Sequence, residues 1–263
     1  MKIKNLNNIK EKIIRKLLGL TYRLDNSGDA SFNKNGEENF VNQFVDFTCT
    51  KKPVIFDVGA NVGDYSDLLV QKFVDSEYSV HLFEPQKSCF TVLEQKFKNN
   101  KNITLNNFGL SNIDEKATIY KNEDKSGLSS LHKRNLDFYE VKMNIEEEIK
   151  LERADKYIQS NKITHINFLK IDVEGHELST LSGFGKYLNA DFIDFIQFEY
   201  GGANLDSHTN LLDFYNLLTP IGFKIAKVMS QSLELREYSP RMDNFVYSNY
   251  VAISGKLLQK IMV

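Results

Sequence analysis

Apolar residues recur along this chain with two different spacings, and the regular exchange between them outlines an α/β architecture. Val54, Ile55, Phe56 and Val58 form a short continuous apolar run, as in a strand covered on both faces. Tyr65, Leu68, Leu69 and Phe73 then recur at helical spacing. The succession repeats: strands over 79–83 and 103–108 flank a stripe of Phe90, Leu93 and Phe97. Strands over 166–171 and 192–198 are followed by the stripes Leu178, Leu181, Phe184, Leu188 and Leu211, Phe214, Tyr215, Leu218, the latter stopped by Pro220. Two more strands, 224–229 and 245–253, are separated only by turn-prone Ser239-Pro240-Arg241 and Asp243-Asn244, a connection that permits an antiparallel pair. The pattern predicts a doubly wound, Rossmann-like, seven-stranded sheet with one antiparallel strand near the C-terminus. Residues 111–161 break the rhythm, with a hairpin at 117–120 and an extended piece near 145–151.

The region before the first strand reads differently. Ile3, Leu6, Ile9, Ile13, Ile14, Leu17 and Leu20 fall at helical spacing with Lys2, Lys10, Lys12, Arg15 and Lys16 among them. Such a basic amphipathic helix can pack on its own domain or a partner subunit; it can also make peripheral contact with a membrane through residues 1–20. Residues 21–35 are polar and turn-rich, and Phe40, Val41, Phe44 and Phe47 mark one more short helix. Residues 1–50 are therefore expected to be a helical extension and linker, and residues 51–263 the main domain.

Composition narrows the function classes. A formal net charge of −2 and a pI near 6.2 argue against a general nucleic-acid binder. Cys49 and Cys89 match no metal or redox spacing and read as buried thiols of a reducing, cytoplasmic compartment. No apolar run reaches the roughly 18 residues of a membrane span, and the N-terminus lacks the compact apolar core of a secretory signal.

The candidate chemistry begins at VIFDVGANVGDYS, residues 54–66, a strand, a glycine turn and a helix start. Asp57 at the strand's end faces the crevice where open α/β sheets bind ligands. A dinucleotide turn wants Gly-x-Gly-x-x-Gly; here Asn61 and Asp64 stand at the second and third glycine positions, and no phosphate-loop lysine follows Gly63. The turn suits a nucleoside ligand without phosphates. Glu84 ends the second strand roughly 20 residues on, where an acid accepts both ribose hydroxyls of either NAD or S-adenosylmethionine.

DVGANVGDYS at 57–66, FEP at 83–85 and FLKIDVEGHE at 168–177, in that order, closely resemble the FkbM-like family of S-adenosylmethionine-dependent methyltransferases. FGLS at 108–111 and GLSSL at 127–131 look like further features of that family, so the resemblance covers about residues 53–230. It implies a class I methyltransferase fold and S-adenosylmethionine as cofactor. By the same resemblance Asp57, Gly59, Ala60, Asn61 and Gly63 would hold the methionine end, and Glu84 the ribose, with Pro85 directing the chain beyond it. Leu110 would meet the adenine by apolar contact and Ser111 by a hydrogen bond. Asp172 would lie beside the sulfonium and the acceptor, a placement that also has a physical reason, since a cation is favoured near a carboxylate. The implied reaction is O-methylation of a small-molecule or glycan acceptor, most simply a sugar hydroxyl in glycan or secondary-metabolite biosynthesis.

Methyl transfer to an alcohol needs the hydroxyl proton removed. Asp172, Glu174 and His176, within IDVEGHE, are the candidate catalytic residues, Glu174 or His176 being the base. In the alternative, Asp172 and Glu199 share a Mg²⁺ that acidifies the hydroxyl. No Pro-Pro signature of nucleic-acid amino-methyltransferases follows the fourth strand, so no nucleic-acid partner is expected. Residues 200–204 are a candidate loop over the substrate, and the insert with Lys121, Lys125, Lys133, Arg134 and Lys142 is expected to shape the acceptor site. Two competing readings remain open. A nicotinamide-dependent oxidoreductase is opposed by Asn61 and Asp64, and an inactive binding protein by the presence of Asp57, Glu84 and Asp172.

Overall fold

The computed structural model describes residues 8–47, 50, 52–73 and 77–261; Ile3, Leu6 and Cys49 lie outside them. Two helices come first, α1 (Asn8–Leu24) and α2 (Glu37–Phe47). The alternating part then runs β1 (Val54–Val58), α3 (Asp64–Lys72), β2 (Ser79–Phe83), α4 (Lys87–Phe97) and β3 (Ile103–Asn106). The expected irregular insert is an ordered small sheet of β4 (Gly109–Ser111), β5 (Glu115–Lys121) and β6 (Ile145–Arg153), followed by α5 (Ala154–Ser160). The hairpin residues and the extended piece find each other there, with Ala117 opposite Ile149. Then come β7 (Ile166–Ile171), α6 (Glu177–Gly183), β8 (Ile193–Tyr200), α7 (Ala203–Ser207), α8 (Leu211–Leu218), β9 (Phe223–Val228), β10 (Leu233–Leu235), β11 (Ser248–Ser254) and α9 (Gly255–Ile261).

The main sheet has the order β10-β9-β11-β8-β7-β1-β2-β3. Strands β3, β2, β1, β7 and β8 are mutually parallel, and β11 runs antiparallel to both β8 and β9, as the short connection requires. The sheet thus has eight strands rather than the expected seven. The extra one, β10, is an edge strand of three residues, Leu-Glu-Leu, paired antiparallel on β9, too short and too polar to register as an apolar run.

Strand alternation sends side chains to two cores. Phe56, Leu169, Ile171 and Phe198 meet Tyr157, Leu181 and Phe214 of α5, α6 and α8. Ile55, Phe168 and Phe195 meet Phe40 and Phe44 of α2, Leu69 of α3 and Leu93 of α4. Phe44 and Phe168 lie 4.9 Å apart, ring centre to ring centre. Both are fully buried, each worth about 2–3 kcal/mol relative to exposure. Helix α2 is therefore part of this core, whereas none of residues 9–24 of α1 is buried.

Candidate functional site

The chain reverses its direction of travel across the sheet between β1 and β7, and a doubly wound fold presents its ligand crevice at the carboxyl ends of such strands. The turn after β1 is built to let β7 in. Gly59 has φ +83°, and a Cβ on it would stand 1.9 Å from the carbonyl oxygen of Asp172. Gly63, with φ +79°, makes room for Leu93 and Phe97 of α4, 2.6 and 2.8 Å from where its Cβ would be. Both glycines thus yield space to protein, not to a ligand. The Asp64 carboxylate turns outward to Lys96 at 2.9 Å and is 84% exposed, so it stands clear of the crevice it was expected to guard against phosphate.

A polar row crosses the sheet just below the crevice. Asp57 of β1 pairs in register with Lys170 of β7, and Lys170 with Gln197 of β8. All three project to the α2–α3 side, the side of Phe168 and Phe195, and all are buried. Lys170 Nζ lies 3.1 Å from Asp172 Oδ2, 3.7 Å from Asp57 Oδ1 and 4.9 Å above the Tyr65 ring. Asp57 Oδ2 accepts a hydrogen bond from Ser66 Oγ at 2.5 Å, whereas Oδ1 has no hydrogen-bond partner. Gln197 donates to Glu37 at 2.7 Å and accepts from the Tyr65 hydroxyl at 2.6 Å. Burial pushes the carboxyls of Asp57 and Glu37 upward, and the Lys170 ammonium acts against it.

Two cavities open above this row. The first is a narrow cleft of about 120 Å³ beside the β1 turn. Pro85, Leu110, Leu131, Ile149 and Leu151 give it apolar walls, with Leu110, Ile149 and Leu151 coming from the small sheet. Its polar lining includes Asn61, Glu84, Gln86 and Ser129. Glu84 accepts the backbone N–H groups of Asn61 and Gln86, each at 2.8 Å. Burial nevertheless raises its carboxyl to about 7. Ser126 and the GLSSL segment that follows it line the cleft. Ser126 O accepts from Asn61 Nδ2 at 3.3 Å, Ser129 Oγ donates to Gln86 Oε1 at 3.0 Å, and Ser130 Oγ donates to Glu174 O at 2.6 Å.

The second cavity, of about 510 Å³, lies on the α2–α3 side. Phe32, Tyr65 and Tyr247 supply its aromatic surfaces, and Glu37, Lys170 and Arg134 are among its charged ones. Asp172, Glu174 and Gly127 line both cavities. Asp172, Glu174 and Glu199 can each offer one carboxylate oxygen so that all three lie within 4.8 Å of one another. Arg134 holds Glu174 Oε2 at 2.5 Å and Asp206 Oδ2 at 3.3 Å, and Tyr247 donates to Glu199 Oε1 at 2.6 Å. Burial first, and the neighbouring Asp172 next, lift the Glu174 carboxyl to about 8 and drive that of Glu199 up as well.

Of the residues singled out in the sequence, Gly59, Asn61, Glu84, Pro85, Leu110, Asp172, Glu174 and His176 converge on the cleft. Glu199, Asp172 and Glu174 converge on the second cavity, with Gly201 to Asn204 at its rim, where α7 starts. Asp57, Ala60, Gly63 and Ser111 are not among the lining residues. Ser111 Oγ instead shares a hydrogen bond of 2.9 Å with His176 Nε2, and burial takes that imidazole down to about 4. Cys89 is a buried free thiol 3.7 Å from Asn61 Oδ1.

Sequence reasoning missed Lys170, Glu37, Phe32 and Tyr247. Lys170 carried a readable signal, the lone charge inside the apolar run INFLKI. Phe32 and Glu37 carried none, because they reach the cavity through tertiary contacts of a polar, turn-rich segment. That segment is sewn down: Gly28 N donates to Tyr247 O at 2.8 Å and Asn26 Nδ2 to Val228 O at 2.9 Å.

Comparison with known proteins adds the following. The family model described as the methyltransferase FkbM domain matches residues 57–225. No curated protein matches the chain. Similar solved structures include a methyltransferase FkbM from Methylobacillus flagellatus KT, 15% identical with a TM-score of 0.49, covering 92% of this chain and 60% of that one. An rRNA methylase from Streptococcus thermophilus is 12% identical with a TM-score of 0.44, covering 82% of this chain and 94% of its own. TrmK of M. capricolum, in complex with S-adenosyl-homocysteine, is 10% identical with a TM-score of 0.41, covering 82% and 67%. The chain spans 60% of the length of the Methylobacillus protein.

Proposed function

The chain belongs to the FkbM methyltransferase family, and from that premise we propose that it transfers a methyl group from S-adenosylmethionine to a hydroxyl, that of a sugar in glycan or secondary-metabolite biosynthesis. The observation that carries this reading is a shared wall. Asp172 and Glu174 face both the narrow cleft and the larger cavity, so one pair of carboxylates serves a donor side and an acceptor side.

When bound, S-adenosylmethionine supplies an electrophilic methyl group on a sulfonium cation. The cleft fits such a group: Glu84 is a buried carboxylate aimed at a cavity whose remaining walls are largely apolar. Glu84 would accept the ribose hydroxyls, Leu110, Ile149 and Leu151 would enclose the adenine, and Asn61 would border the methionine end. Asp57, Ala60 and Gly63 would act from behind, shaping the turn, and Ser111 would set His176. Asp172 would favour the positive charge. Glu174 would take the hydroxyl proton as the new carbon–oxygen bond forms and the carbon–sulfur bond breaks.

Replacing Glu84 tests the donor side. Glu84→Gln is expected to weaken S-adenosylhomocysteine binding, read by calorimetry, about 10- to 100-fold, the worth of hydrogen bonds to a charged group. Ribose hydroxyls donate best to the ionised carboxylate, and burial raises this one to about 7. Wild-type affinity should therefore rise with pH through that value and the variant's should not. Equal affinities would remove Glu84 from the cofactor site.

On the acceptor side, both cations of the large cavity are already held by carboxylates. A neutral polyol therefore meets acceptors for its hydroxyls and aromatic faces for its ring. Incubation with candidate sugars should give a mass gain of one CH₂ that depends on S-adenosylmethionine and falls about 100-fold in Asp172→Asn, the range for losing one electrostatic partner of the transition state. A product methylated on nitrogen or carbon would overturn the hydroxyl assignment.

A divalent cation at Asp172, Glu174 and Glu199 is a second reading, favoured by their three converging oxygens. Lys170 and Arg134 oppose it, since each already brings a positive charge to one of those carboxylates.

A further inference from the structure

Helix α1 carries an exposed apolar face. Ile13, Leu17, Leu20 and Leu24 follow one another at intervals of four, three and four residues, one stripe of a 3.6-residue helix. Their exposures are 54%, 59%, 55% and 74%. Lys12, Lys16 and Arg23 border that stripe on one side and Lys10 on the other. Residues 1–24 hold seven basic side chains and one acid, a net of +6, within a chain of net −2, so residues 25–263 carry −8.

The helix does not hang from a slack tether. Asp25, the residue that follows it, is bound by Lys227 Nζ at 2.6 Å and Arg236 at 2.7 Å, and Lys227 also donates to Ser27 at 2.6 Å. Lys227 and Arg236 belong to β9 and the segment just after β10, so the base of α1 is fixed to the edge of the sheet. Five residues on, Ala30 lines the large cavity, as does Phe32.

We propose that α1 docks on an anionic phospholipid surface, with its Ile13–Leu24 stripe in the acyl boundary and its lysines and arginines among the head groups. Charge selects this occupant over a second copy of the chain. Two +6 helices repel each other, and an anionic surface attracts the helix while it repels the −8 remainder, which orients the molecule helix-down. The fixed base then holds the large cavity beside the membrane surface, within reach of acceptors displayed there.

The test is co-sedimentation of the full chain with phosphatidylcholine vesicles, alone or with about one third phosphatidylglycerol. Binding is expected to be at least about tenfold stronger to the anionic vesicles and to weaken as salt is raised. The double variant Leu17→Asp/Leu20→Asp should lose at least about tenfold of it while its melting temperature stays unchanged, since neither side chain is packed. Absence of binding to anionic vesicles at low salt would overturn the proposal, and so would binding that survives the double substitution. A concentration-dependent dimer, abolished by the same substitution and indifferent to vesicles, would overturn it in favour of self-association.

Discussion

Lys170→Met is expected to lower the free energy of unfolding by about 3–5 kcal/mol, the cost of removing one partner from a buried ion pair, read as a shift of the urea midpoint at unchanged slope. Methionine fills much the same space, so the loss is one of charge. The Lys170 side chain is 6% exposed and its ammonium lies 3.7 Å from Asp57 Oδ1, which has no hydrogen bond to fall back on. Asp57 makes the effect pH-dependent. Burial raises its carboxyl above the unfolded value, so the stability it adds as the neutral acid is complete below the unfolded pKa and is lost as pH rises through the folded one. Removing Lys170 takes away the charge that offsets that loss, and the deficit of the variant should grow from acid pH towards neutrality. Adding Asp57→Asn should recover part of the stability, a coupling that two independent sites would not show. A Lys170→Met protein within about 1 kcal/mol of wild type would mean that Lys170 is not the counter-ion of this row.

That row also marks how far the sequence could be read. Asp57, Lys170 and Gln197 are each a polar interruption in an apolar strand: VIF-D-V, INFL-K-I and DFI-Q-F. Only Asp57 was singled out, because it adjoined a glycine turn. What joins the three is the register of parallel strands, and that register depends on the crossovers over 59–165 and 172–192, whose geometry no local pattern encodes. Most of the parallel strands and the antiparallel closing strand were legible because each buries an apolar run; β10 was not, having only three residues at an edge.

The insert and the N-terminal region show the same limit. Arg134 could be named as a basic residue of the insert, but its position against Glu174 comes from residues 126–131 being tied down at Asn61, Gln86 and Glu174. Residues 21–35 look like a linker by composition, yet Asn26 and Gly28 bond to β9 and to Tyr247, and Glu37 just beyond bonds to β8. The change in packing comes at Asp25, inside the expected extension over 1–50. Before it nothing from residue 9 onward is buried, and after it α2 shares the core of the sheet.

Glu174→Gln is expected to cut methyl transfer about 1,000-fold, within the span of a lost general base, while cofactor binding changes little. Glu174 is the base best matched to the geometry. It faces both cavities, and its carboxyl, lifted to about 8, is basic enough to draw a hydroxyl proton as the oxygen attacks. The raised value has a cost in acid: below it the residue is mostly protonated and cannot accept. The wild-type rate should accordingly climb with pH through about 8 and level off above it. His176, the other candidate, predicts something else. Its imidazole is held near about 4 with Nε2 engaged by Ser111, so a histidine base would be fully available throughout the neutral range and give a flat profile there. His176→Gln should then leave the rising limb in place, whereas Glu174→Gln should remove it. A divalent cation would also yield a pH-dependent rate, by acidifying the hydroxyl, and exhaustive dialysis against EDTA separates the two cases. Activity that survives chelation leaves the proton with Glu174. Activity that vanishes and returns on adding Mg²⁺ would turn Asp172, Glu174 and Glu199 from a base and its neighbours into a ligand set.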